Sequence, residues 1–242
     1  MKERSKLVRA LLRVVRPVWR IRGLALLSEL VFWDRWLARR VAGGPAGSAL
    51  PEAHAFPEAL ARLVGHVAGR PVKVLEVGAG LAASVGAQHR ALDVDVVATD
   101  VLAAQYRRIL RRRGLRPANP TIHADAEALT PQFGRDAFDL VYAANCIDHT
   151  RDALRAIREM VAVVRPGGYV VMDHFENEGA QQDYAGLHEW NLCANGGRFE
   201  LWNERARHDV AAALGPGCEV RAASSDGLLH VEIRKLPGAA LQ

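Results

Sequence analysis

Residues 72–80, VKVLEVGAG, constrain the fold more than any other stretch of this chain. A short apolar, β-branched run that ends in glycines reads as a buried strand followed by a sharp turn. Val94–Thr99 (VDVVAT) repeats the pattern and runs into Asp100. Phe138–Ala143 (FDLVYA) and Tyr169–Asp173 (YVVMD) repeat it again, and Thr121–His123 is a shorter candidate strand. Helical patterns lie between: one expected directly after the glycines, then Tyr106–Arg113, then Asp152–Val164. The last places Leu154, Ile157, Val161 and Val164 on one side and stops at Pro166-Gly167-Gly168. Strands alternating with helices predict a doubly wound, mostly parallel α/β sheet with helices on both faces. The alternation fails at the end of the chain. There Cys218–Ala223 and Leu228–Lys235 flank Ser224-Ser225-Asp226-Gly227, which predicts a closing hairpin and an antiparallel edge.

The first forty residues are different. Leu7, Val8, Leu11, Leu12 and Val15 recur at helical spacing up to Pro17. A second helical stretch, Leu24 to Leu37, contains Trp33 and Trp36. Residues 42–51 (AGGPAGSALP) form a linker, and a further helix is expected over Pro57–Val67. Residues 1–50 therefore read as a helical arm and linker, and 51–242 as one domain. Residues 1–40 hold eleven Lys/Arg against three acids, more than the whole chain's net charge of +5, so the body is on balance acidic. Such an arm suits either a helix lying on an anionic membrane surface or a cofactor-covering helix or dimer contact with its arginines in water. Nucleic acid is not expected as a partner, because a general binder would spread its basic surface over the body. Arg107, Arg108 and Arg111–Arg113 read as a solvated helix face. The three cysteines (Cys146, Cys193, Cys218) form no CxxC pair, so neither a disulfide framework nor a zinc site is expected. The cytoplasm fits best, with contact at the inner membrane face as the alternative for the arm. Oligomeric state is not encoded legibly.

Two ligands compete for the glycine turn. Gly78, Gly80 and Ala83 satisfy GxGxxA, and Asp100 lies twenty residues past Gly80, as in nicotinamide-dinucleotide sites. Glu76 opposes this, because a carboxylate there would repel a pyrophosphate at a helix N-terminus. It suits a cationic ligand without phosphates.

Together these residues are similar to the class I S-adenosylmethionine-dependent methyltransferases over roughly residues 55–236. Their Rossmann-like fold is the one expected here: a doubly wound, mostly parallel sheet with the antiparallel C-terminal hairpin, plus N-terminal helices. The resemblance implies S-adenosylmethionine as cofactor, a sulfonium and ammonium ligand with no phosphate. It implies that Glu76, Gly78 and Gly80 form the donor turn, with Ala82 where relatives often have a third glycine. It places Asp100, with Val101 beside it, on the ribose hydroxyls, and Asp125-Ala126 of HADAEAL at the adenine edge. Asn145 then stands at the lip of the transfer site, and Val164-Arg165-Pro166-Gly167-Gly168 is a structural turn. FENEG, YAGLHEWN and FELWN within residues 173–203 are similar to methyltransferases of bacterial glycan and natural-product pathways, which implies a small-molecule or glycan-type acceptor.

Methyl transfer to oxygen needs a proton acceptor, and histidine has a suitable pKa. His149, in NCIDH just past the fourth strand, is the first candidate base, and His188 is the second. His174, Glu176 and His188 have no diagnostic metal spacing, and no metal is expected. A nicotinamide-dependent oxidoreductase and a non-catalytic, membrane-docking module of the same fold are the alternatives.

Overall fold

A computed structural model describes residues 22–43 and 55–238. The helix expected up to Pro17 and nearly all of the linker lie outside those residues. The elements run α1 (Arg22–Gly43), α2 (Glu58–Val64), β1 (Val72–Val77), β2 (Val94–Thr99), α3 (Ala103–Arg112), α4 (Thr130–Phe133) and β3 (Phe138–Ala144). A 3₁₀ turn (Ile147–His149) leads to α5 (Ala153–Val163), β4 (Val164–Phe175) and α6 (Glu178–Gln181). The chain closes with β5 (Asn191–Asn195), β6 (Arg198–Trp202), β7 (Arg207–Asp209), α7 (Val210–Leu214), β8 (Cys218–Ser225) and β9 (Leu228–Lys235).

The main sheet has the order β2-β1-β3-β4-β9-β8. β2, β1, β3 and β4 are mutually parallel, while β9 is antiparallel to both β4 and β8. The parallel strands are nearly continuous apolar runs because both faces are covered. Leu75, Leu140 and Val141 are fully buried, and Ile157 and Met160 of α5 pack against this core. Asp152 caps α5 by accepting from Arg155 N at 2.9 Å. Asp226 and Gly227 both take positive φ (51° and 77°) and close the β8–β9 hairpin.

Three expectations are corrected. No helix follows β1: residues 78–93 form turns, because the Glu76 carboxylate accepts from Ser84 N (2.9 Å) and Val85 N (3.2 Å) and draws the chain back on itself. Thr121–His123 is not a strand but one parallel bridge, Ile122 to Thr99. Pro166–Gly168 does not precede the last parallel strand; it is a bulge within β4, where the register jumps between Phe138↔Val164 and Leu140↔Tyr169. The three-stranded sheet β5-β6-β7 was not anticipated.

α1 packs against the body. Leu37 is fully buried in a cluster with Leu81, Leu102, Tyr106 and Ile109, and Trp33 and Trp36 pack beside it. The N-terminal helix thus shares a core with the sheet's covering helix α3. No described helix is long and apolar enough to cross a membrane.

Candidate active site

β1 and β3 end side by side at the carboxyl edge, where the strand order reverses, and this is where doubly wound sheets bind ligands. A cavity of about 450 Å³ opens there, within the range of small-ligand pockets. Glu76, Gly78 and Gly80 line it from the first turn, Asp100 and Val101 from the end of β2, and Asp125 and Ala126 from the following loop. Asn145 and His149 line it from beyond β3. All eight expected cofactor residues therefore face one cavity. α1 roofs it with Leu26, Glu29, Phe32 and Trp33, and Leu187 closes another side.

The glycines are required by close approach. Gly78 (φ 69°) sits so near Cys146 that a Cβ would lie far closer to its sulfur than van der Waals contact allows. Cys146 is a neutral thiol, because burial pushes its pKa far above the usual range. Gly80 (φ 64°) donates its N–H to Asp100 Oδ2 at 3.1 Å, and Leu102 N–H donates to Oδ1 at 2.8 Å. Each Asp100 oxygen keeps one lone pair for a further donor. Burial raises the pKa of Asp100, against the pull of these two N–H groups. Asp125 is exposed at the rim and accepts from Glu127 N at 2.9 Å. Glu76 is buried, and its oxygens are engaged by Ser84 and Val85. It shapes the loop as well as lining the cavity. Asn145, at φ 47°, accepts through its carboxamide oxygen from Phe175 N–H at 3.0 Å.

The second constellation centres on Asp148, which is wholly buried in the 3₁₀ turn. Its Oδ1 lies 2.9 Å from His174 Nε2, and its Oδ2 lies 2.6 Å from His188 Nδ1. Burial alone would raise the Asp148 pKa; the surrounding imidazoles (His149, His174 and His188) outweigh it and hold the carboxyl well below the usual range. His174 Nδ1 is also 2.7 Å from the Phe175 carbonyl. Both partners of His174 are acceptors only, an arrangement that favours a proton on each of its nitrogens. Its pKa is correspondingly raised: burial opposes the charge, and Asp148 overcomes burial. His188 is raised by the same balance. Anchoring of Nδ1–H to Asp148 leaves Nε2 as the basic nitrogen of His188.

His149 Nε2 lies 3.2 Å from His188 Nδ1, with the rings nearly edge to face at 4.7 Å between centroids. His149 lines the large cavity. His188 lines a second cavity of about 220 Å³, with Tyr184, Glu189, Asn203 and Arg205. The structure thus brings the two expected histidines together as a shared wall. Asp148 with His149 and His188, or with His174 and Glu178, offers ligand atoms within 4.8 Å of one another, a spacing open to a metal ion. Hydrogen bonds already engage both Asp148 oxygens.

Residues 75–172 match the family model described as a methyltransferase domain. That span contains the glycine turn, Asp100 and Asp125 of the large cavity, and Asp148 with His149. Over that span the chain carries a methyltransferase domain of the class I, S-adenosylmethionine-dependent type. A phosphatidylethanolamine N-methyltransferase of Cereibacter sphaeroides is 31% identical over 119 residues, which are 48% of this chain and 58% of that one. Fumosorinone synthetase of Cordyceps fumosorosea (strain ARSEF 2679) is 29% identical over 169 residues, 66% of this chain and 4% of that one. The chain therefore spans less than two thirds of the length of either relative. A solved structure described as a putative S-adenosyl-L-methionine-dependent methyltransferase from Methanococcus maripaludis shares the fold. It has a TM-score of 0.50 and 14% identity, and the match covers 77% of this chain and 87% of that one.

Several parts of the candidate site were not read from sequence. A cofactor-covering helix or dimer contact was the favoured reading of the arm, but Leu26, Glu29 and Phe32 were not expected as roofing residues. His174 and Asp148 as a single buried pair were not foreseen. The second sheet did have a signal: Gly196-Gly197 between the runs NLCAN and RFELW is a two-residue hairpin pattern.

Proposed function

We propose that this methyltransferase moves the S-adenosylmethionine methyl group to an oxygen of a small, hydroxyl-bearing acceptor, glycan-like in polarity. The observation that carries this reading is the His149–His188 wall between the donor cavity and a second, polar cavity. In this reading Asp100 holds the ribose hydroxyls with its remaining lone pairs, Asp125 and Ala126 meet the adenine edge, and Gly78 and Gly80 let the donor approach the backbone. Asn145, rigid through its bond to Phe175, shapes the lip. The acceptor lies against Tyr184, Asn203 and Glu189, and its hydroxyl reaches the histidine pair. As the oxygen attacks the methyl carbon, the carbon–sulfur bond breaks and the hydroxyl proton passes to an imidazole. His188 is favoured as the base, because Asp148 fixes its tautomer; His149 guides the hydroxyl from the donor side. Alignment of acceptor and methyl supplies most of the acceleration, and the base adds roughly 10²–10⁴-fold.

A nicotinamide cofactor is disfavoured because no helix N-terminus follows the glycines to receive a pyrophosphate. A purely non-catalytic role leaves the paired histidines and their buried aspartate unexplained.

The test uses S-adenosylmethionine carrying a ¹³C methyl group, incubated with a panel of glycosides and amines. A transferred methyl with the chemical shift of an ether, formed much more slowly by His188→Ala, is the expected result. An N-methyl or C-methyl product, or ether formation unchanged in the His149→Ala/His188→Ala double variant, overturns the assignment.

A further inference from the structure

α1 carries more apolar surface than its core uses. Its inner face buries Leu37 and packs Trp33 and Trp36 on α3. Leu24, Leu27 and Val31, spaced three and four apart, form a second stripe that is 42%, 55% and 41% exposed. Phe32, 55% exposed, stands beside them on the wall of the donor cavity. A shallow groove of about 390 Å³ runs between α1 and α3, floored by Leu27, Val31 and Ile109 and edged by Arg35, Arg108 and Arg112. The acid in this groove, Asp34, is taken by Arg113 at 2.8 Å. α3 itself, AAQYRRILRR, holds four arginines and no acid. None of Arg35, Arg108 and Arg112 forms an ion pair among the described residues.

We propose that this face of α1 and α3 docks the protein on an anionic lipid surface. An apolar stripe bordered by arginines that form no ion pair among the described residues matches the boundary of an anionic bilayer: side chains enter the acyl edge and guanidiniums meet lipid phosphates. Charge selects this occupant over the others. Residues 1–21 hold seven Lys/Arg and one acid, so they would meet the arginine border with like charge. A second copy of this face would set arginine against arginine. A nucleic acid would satisfy the arginines and leave Leu24, Leu27 and Val31 in water. Docking turns Phe32 and the mouth of the donor cavity toward the bilayer. The proposal holds whichever acceptor atom is methylated.

The test is co-sedimentation of the full chain with vesicles of phosphatidylcholine alone and of phosphatidylcholine mixed with phosphatidylglycerol, beside a titration with duplex DNA. Binding to the anionic vesicles alone is expected. Arg108→Glu/Arg112→Glu should lower partitioning about tenfold or more, and Leu27→Asp/Val31→Asp should remove the binding that survives added salt. Both variants should still bind S-adenosylhomocysteine, because none of these residues lines the donor cavity. Absence of vesicle binding overturns the proposal. So does binding undiminished in both variants, which would place the contact in residues 1–21, or binding to DNA without binding to vesicles. A dimer that Leu27→Asp/Val31→Asp dissociates, with no vesicle binding, assigns the stripe to a second copy.

Discussion

β3 has a buried aspartate near each end, and the two are held by different cations. Asp139, at the amino end, accepts from Arg70 at 2.6 Å and from Lys73 N at 2.9 Å, and it forms an ion pair with Arg165 at 3.0 Å. Asp148, beyond the carboxyl end, accepts from His174 and His188. Both carboxyls lie below their usual pKa, because the cations around them outweigh the cost of burial. The difference is in the partner. A guanidinium keeps its proton at any working pH, whereas an imidazole can release one. The amino edge is therefore a fixed staple, and the carboxyl edge a titratable hub that borders two cavities. The same contrast holds at Lys235. It is buried at the amino edge, bonded to Asp136 (2.6 Å) and to the Val164 carbonyl (2.8 Å), and it faces neither cavity.

Substitutions can break this contrast. The largest effect is expected from His188→Ala, a loss of roughly 10²–10⁴ in kcat with the fold retained, measured by single-turnover methyl transfer. Asp139→Ala should cost about 3 kcal/mol, the low end for a broken buried pair, because both guanidiniums can turn to solvent. Denaturant titration checks this value, and turnover per folded molecule should not change. A smaller effect is expected from Asp148→Asn on the pH profile of kcat/KM. The base must be neutral, and His188 is raised above its ordinary value, so activity should climb with pH above about 6.5. Removing the Asp148 charge should move that limb to lower pH; a limb that stays in place detaches Asp148 from the base. The smallest effect is on stability. Imidazoles with raised pKa contribute fully below about 6.5 and lose that contribution as pH rises through their folded values. Asp148→Asn should therefore flatten the alkaline fall in melting temperature, and Asp139→Asn should leave it intact.

The donor side was more legible than the acceptor side. Gly78, Gly80, Asp100, Asp125 and Asn145 sit at the ends of apolar strands, and a parallel sheet delivers every strand end to one edge. Period and punctuation suffice for that. The helix expected after Gly80 failed for a local reason: Glu76 turns back to bind Ser84, a side-chain contact that no periodicity records. Ile122 likewise has strand-forming residues around it but meets β2 through a single bridge. The Asp148 hub was hidden because its partners come from β4 and from the loop before β5, 26 and 40 residues away. Only packing brings them together.

The most direct measurement is calorimetric titration of the full chain with S-adenosylhomocysteine, beside NADH, in wild type and Asp100→Ala. One site for S-adenosylhomocysteine and none for NADH are expected. Affinity should fall by roughly 10–100-fold in the variant, the value of hydrogen bonds to a charged group. Binding of NADH instead, or affinity untouched by Asp100→Ala, would contradict the assignment of this cavity to the methyl donor.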